Sequence, residues 1–94
     1  MSKPEPPPTY SIIRTEYFIF KSNELRKKYP TLTELNRTID WALARKPHFF
    51  NQFIGEFYFL ITEELSNPQF PDVKILYRII EQDYKVVLID IEEN

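Results

Sequence analysis

The chain has 94 residues, 43% of them hydrophobic and 16% aromatic, which is enough for one domain with a dense core and too little for two. It has no cysteine, which excludes disulfide staples, a thiolate nucleophile and every cysteine-ligated zinc site, and leads to the expectation of a reducing, cytoplasmic setting. A formal net charge of −2 excludes a generally basic nucleic-acid binder, so any grip on phosphates has to come from a local basic face.

Residues 1–9 carry Pro4, Pro6, Pro7 and Pro8. Each proline fixes φ and removes a donor, so a disordered, extended tail is expected here, with residues 10–94 as a single domain. The functional reading of such a tail is a polyproline docking ligand. It lacks the charged stub and apolar run of a secretory signal, and no apolar run reaches membrane-span length, so no membrane attachment is expected.

Residues 10–14, Tyr-Ser-Ile-Ile-Arg, read as a short strand, and Thr15 is placed to cap the segment after it. Phe18, Ser22, Leu25 and Tyr29 recur near the helical period. Yet Tyr17-Phe18-Ile19-Phe20 has strand-type composition, which leaves two helix starts open, one after Thr15 and one at Ser22 or Asn23. Pro30 ends that helix. Thr31 and Glu34 then make a capping-box pattern, followed by Leu32, Leu35, Ile39, Ala42 and Leu43 at spacings of three and four. This second helix should stop near Lys46-Pro47, with Arg45 and Lys46 at the negative end of its dipole. The two segments form a helical hairpin.

Residues 48–53 read as an aromatic connector, after which the period changes to two. Residues 56–62, 73–80 and 85–91 are expected as strands, the last two joined by a turn at Glu81-Gln82-Asp83-Tyr84. The fold class expected is α+β: a short N-terminal strand, a helical hairpin, then a three-stranded antiparallel meander.

His48 is the only histidine and has no sequence-local Ser, Cys or Asp to work with, so a structural role is expected for it. One histidine makes no histidine metal site, and a single glycine, Gly55, makes no glycine-rich phosphate loop. No metal or cofactor is expected. Glu63-Glu64 and Glu92-Glu93 flank strands and read as charges that keep sheet ends soluble. The basic residues carry more. Arg26, Lys27 and Lys28 end the first helix and Arg45 and Lys46 the second, and these five are candidate nucleic-acid contacts. Lys74 and Arg78 alternate with Val73, Ile75, Tyr77 and Ile79 and so share a sheet face. Cations on such a face, with an aromatic ring to stack on a base, suit phosphodiester cleavage, whose transition state is an oxyanion. The opposing reading makes both residues ordinary solvated or salt-bridged positions. Phe49, Phe50 and Phe53 are the candidate contact patch for a protein partner.

The order of elements, with Leu25-Arg26-Lys27-Lys28-Tyr29-Pro30, Leu43-Ala44-Arg45-Lys46-Pro47, the stretch from Pro71 to Ile79 and Val86-Val87-Leu88-Ile89-Asp90-Ile91, resembles the RelE/ParE toxin superfamily over nearly the whole chain. The most specific part is Lys74, two apolar residues, then Tyr77. The resemblance implies a toxin-like component of a type II toxin–antitoxin module, of the kind linked to plasmid stabilisation, bound and neutralised by an antitoxin. Members act on mRNA in the ribosome or on DNA gyrase, and in the mRNA-cutting members a basic residue matching Lys74 belongs to the active site. This chain ends Glu92-Glu93-Asn94, acidic where the family pattern is basic, which ranks action through protein contacts first. A ribosome-dependent mRNA endonuclease using Lys74 and Arg78 is the alternative, and a non-toxic interaction module on the same fold is the third reading.

Overall fold

A computed structural model of the protein describes residues 9–94, and in it Thr15 resolves the ambiguity after the first strand. Strand β1 (Ser11–Arg14) ends there, and the Thr15 hydroxyl accepts the Phe18 N–H at 3.1 Å, satisfying one of the free donors of helix α1 (Glu16–Lys28). Helix thus takes the earlier of the two starts, and Tyr17 to Phe20 are helical despite their strand-type composition. The proline-rich tail expected over residues 1–9 lies, apart from Thr9, outside the described residues.

Helix α2 (Leu32–Arg45) keeps to the three-and-four spacing, and Leu32, Leu35, Ile39 and Leu43 are fully buried. Each such side chain contributes about 1.5–3 kcal/mol of transfer free energy. The capping box expected at its start does not form. Thr31 already has helical torsions (φ −69°, ψ −5°) rather than the extended ones a cap needs, and its hydroxyl donates instead to the Gln69 carbonyl at 3.3 Å.

The sheet has five strands, in the order β1-β5-β4-β3-β2, where β2 is Asn51–Ile54, β3 Phe57–Ile61, β4 Val73–Ile80 and β5 Lys85–Glu93. The antiparallel meander therefore has four strands rather than three. The added one, β2, begins within the stretch expected to be a connector and ends one residue beyond it. Asn-Gln-Phe-Ile shows no period of two, and only pairing to β3 across Gly55, which sits at φ +55°, makes it a strand. At the other edge β1 runs parallel to β5, a geometry that needs a crossover; the helical hairpin carries the chain to the far edge and the meander brings it back to β5.

Along β4 burial alternates. Val73, Ile75, Tyr77 and Ile79 point into the core beneath the hairpin, facing Phe18 and the buried leucines of α2. Lys74, Leu76, Arg78 and Ile80 point the other way. Two buried polar groups are satisfied in place. The Tyr77 hydroxyl donates to the Pro47 carbonyl at 2.5 Å, and Thr62 donates to the Pro71 carbonyl at 2.8 Å while accepting the Val73 N–H at 2.9 Å. Thr62 thereby pins the proline-bearing connection between β3 and β4.

Candidate functional site

The outward face of the sheet holds both residues singled out for phosphate chemistry. Lys74 and Arg78 share it, with Cα atoms about 13 Å apart along the strand and side chains resting on different partners. The Lys74 ammonium lies 4.4 Å from the ring centre of Phe59, a cation–π contact, in a cleft of about 180 Å³ whose walls include Phe53, Leu76, Asp90 and Glu92. Among the described residues Lys74 makes no ion pair. Arg78 does. Its Nε is 2.9 Å from Glu56 Oε1, off the hydrogen-bond axis, so the contact is coulombic.

A bulge in β5 pairs Leu76 with Asp90 and Tyr77 with Leu88, which turns Asp90 and Glu92 onto this outward face beside Lys74. Both carboxylates share one cation, Lys21 of α1, at 2.9 and 3.2 Å. Burial opposes charge on Lys21, yet the contacts with Asp90 and Glu92 raise its pKa. The cleft therefore holds one lysine and two carboxylates, and Lys21, which lies outside its lining, offsets the remaining negative charge.

The helix-borne cations do not form one surface. Arg26, Lys27 and Lys28 sit at the C-terminal end of α1, next to the start of α2, whereas Arg45 and Lys46 sit at the far end of α2, about 20 Å away at 1.5 Å per residue. Most of them are also engaged. Lys27 pairs with Glu24 at 3.2 Å and Lys28 with Glu93 at 3.0 Å, the latter contact raising the lysine pKa and lowering that of Glu93. Arg45 donates to the Trp41 carbonyl and lies 4.6 Å over its ring.

The aromatic patch divides. Phe49 and Phe50 meet edge to face at 5.2 Å and line a hollow of about 330 Å³ with Trp41 and Leu65. Phe53 lies instead in the Lys74 cleft. A further apolar surface was not anticipated from the sequence: Tyr17 and Phe20, exposed on α1, line a hollow of about 550 Å³ that also meets Leu25 and Ile91. Its signal was the strand-like composition of Tyr17 to Phe20, three of whose four apolar side chains have no place in the core.

His48 finds at long range the partner it lacks locally. Its Nε2 meets Glu81 Oε1, and Glu81 Oε2 accepts the Tyr10 hydroxyl at 2.7 Å. The imidazole stands edge-on to Tyr10 and Tyr58, at 6.0 and 5.9 Å between ring centres. The Tyr10 bond, then the His48 bond, holds the Glu81 carboxyl below the usual range, while burial and then the Glu81 contact push the Tyr10 phenol up to about 12. A carboxylate-fixed imidazole is the arrangement of a general base, but the side chains this one meets among the described residues are Glu81, Tyr10 and Tyr58, with no serine, threonine or cysteine among them. Its evident work is mechanical: it joins the start of β1, the end of α2 and the β4–β5 turn at one corner. Among the described residues no group of three metal-ligating side chains converges, and no helix is long and apolar enough to cross a membrane.

No protein-family model and no curated protein sequence matches the chain. Solved structures do match. A chain of the RelBE2 toxin–antitoxin complex of Mycobacterium tuberculosis superposes with a TM-score of 0.71 at 14% identity, over 97% of this chain and 98% of that one. The intact RelBE toxin–antitoxin complex of E. coli matches at 0.67 and 12% identity, over 90% of this chain and 96% of that one. The isolated E. coli RelE toxin matches at 0.65 and 13% identity, over 89% and 83%. The fold is that of the RelE-type toxins.

Proposed function

We propose that the protein is the toxin-like component of a type II toxin–antitoxin module, that it acts in the cytoplasm through protein contacts, and that an antitoxin neutralises it. The observation that carries this reading is the shared fold over 97% of the chain with a chain of one toxin–antitoxin complex, together with the likeness to an isolated toxin. Charge argues for protein contact over strand scission. Developing negative charge on a phosphate would meet one unpaired lysine, Lys74, in a cleft whose other charged residues are two carboxylates, both already paired with Lys21. The exposed Tyr17 and Phe20 beside α1 are the kind of apolar surface a partner helix covers. DNA gyrase is then the first cellular target to examine.

The second reading, a ribosome-dependent mRNA endonuclease, is favoured by Lys74 itself, a free cation lying against an aromatic ring. Expression alone in a bacterium should arrest growth, and co-expression with the product of an adjoining small gene should restore it. In a purified translation reaction with ribosomes the mRNA should stay intact. Cleavage that disappears in Lys74→Ala would replace protein contact with the endonuclease. Unaffected growth would leave an interaction module using Phe49, Phe50 and Phe53.

A further inference from the structure

The most exposed large apolar side chains among the described residues are Phe49, Phe53 and Ile54, at 71, 67 and 66%. All three fall within six residues at one edge of the sheet. In a chain of which 28% is charged, residues 47–55 (Pro-His-Phe-Phe-Asn-Gln-Phe-Ile-Gly) contain no Asp, Glu, Lys or Arg. Strand β2 pairs with β3 on one side, and among the described residues nothing pairs with its other side. Exposed edges are ordinarily blunted by lysine, proline, inward charges or a covering segment. Here the single such device is the irregularity between Gln52 and Ile54, which shortens the run available for pairing. The opposite edge is handled differently. Arg14 of β1 is tied to Asp40 of α2 at 2.7 Å, and the Tyr10 N–H donates to the Ala44 carbonyl at 2.8 Å, so α2 anchors it.

We propose that β2 is the seat of a two-fold homodimer, in which it pairs antiparallel with β2 of a second copy, joins two five-stranded sheets edge to edge and buries Phe53 and Ile54. Charge selects a second copy as the occupant. A two-fold axis through an edge sets the residue on the axis opposite its own image and the residues beside it diagonal to theirs, so a charge near the axis would meet a like charge. This edge is the uncharged one. Gln52 suits the same symmetry, because one amide N–H is held by the Gly55 carbonyl at 2.8 Å while the other N–H and the carbonyl remain to pair with their own images. A short ladder supplies few backbone bonds, so the apolar side chains provide most of the association and the dimer is weak and concentration-dependent. The inference stands independently of the toxin reading.

Sedimentation velocity of the full chain over a concentration series tests it. Monomer should give way to dimer, and Phe53→Lys should move the midpoint up by about tenfold or more, since with Gln52 on the axis the new charge lies diagonal to its own image and replaces apolar contact area. Ile54→Lys should act alike, which covers the case where one variant fails to fold by circular dichroism. Phe20→Lys, on the exposed face of α1, should leave the midpoint in place. Because the chain has no cysteine, Gln52→Cys should cross-link to a dimer on mild oxidation while Glu24→Cys should not. A single monomeric species at every concentration, or a dimer moved by Phe20→Lys and indifferent to both edge lysines, would overturn the proposal.

Discussion

The two faces of β4 are built from the same eight residues and do opposite work. On the inner face Val73, Ile75, Tyr77 and Ile79 are at most 2% exposed, closed over by Phe18 and the leucines of α2. On the outer face Lys74, Leu76, Arg78 and Ile80 meet solvent, and what order exists comes from ion pairs such as Arg78 with Glu56 and Lys21 with Asp90. Removing water from apolar area stabilises a fold far more than an exposed ion pair does. Stability should therefore reside on the inner face, leaving the outer one free to serve recognition.

The sharpest way to break that division is to empty the inner face. Tyr77→Ala deletes a fully buried ring and should destabilise the protein by about 3–5 kcal/mol, read as a lower urea midpoint. A smaller loss should come from a substitution that keeps volume and removes one hydrogen-bonding group. Thr62→Val leaves the Pro71 carbonyl and the Val73 N–H buried without their partner, costing about 1–3 kcal/mol with the slope of the urea transition unchanged.

Legibility in the sequence divides along the same line. The inner face announces itself as a period of two, and the strand expected over residues 73–80 has the bounds observed for β4. The end of α2 is legible too, because a proline and a period of three and four are local signals. Strand β2 is not, since Asn-Gln-Phe-Ile becomes a strand through pairing with β3 and not through its own pattern. The Thr31 cap fails for a related reason, its hydroxyl being drawn to Gln69, 38 residues on. The placement of Lys74 and Arg78 on one face was readable from alternation, whereas their neighbours Asp90 and Glu92 depend on a bulge with no sequence signature. The His48 partner lies 33 residues away, beyond any local spacing.

That corner yields a third and smaller effect, one that depends on pH. The folded pKa of Glu81 lies below its ordinary value of 4.5, so its contribution is present in full above that value and is lost as pH falls through the lower folded one. Glu81→Gln should therefore lower the Tm near neutral pH, and the gap to the natural protein should narrow as pH falls below 4.5 and close once it has passed the lowered folded value. Both groups are well exposed, so solvent screening keeps the gap modest. Tyr10→Phe should shrink it more than His48→Gln does, since the tyrosine bond is the larger cause of the shift.

The least effect on stability is expected at Lys74, the residue on which the two proposed functions turn. Lys74 is exposed, makes no ion pair among the described residues and rests on Phe59, so Lys74→Ala should change unfolding free energy by no more than about 0.5 kcal/mol. Its loss of charge still alters the outer face, because it leaves Lys21 as the single cation beside Asp90 and Glu92. An unchanged urea midpoint makes any change in growth arrest a statement about recognition and not about folding. If the natural protein arrests growth and Lys74→Ala does so equally, the proposed toxin-like action does not lie in the outer cleft, and the exposed aromatics of α1 become the surface to mutate. If arrest is lost while the fold holds, the division between the two faces is confirmed at its most exposed point.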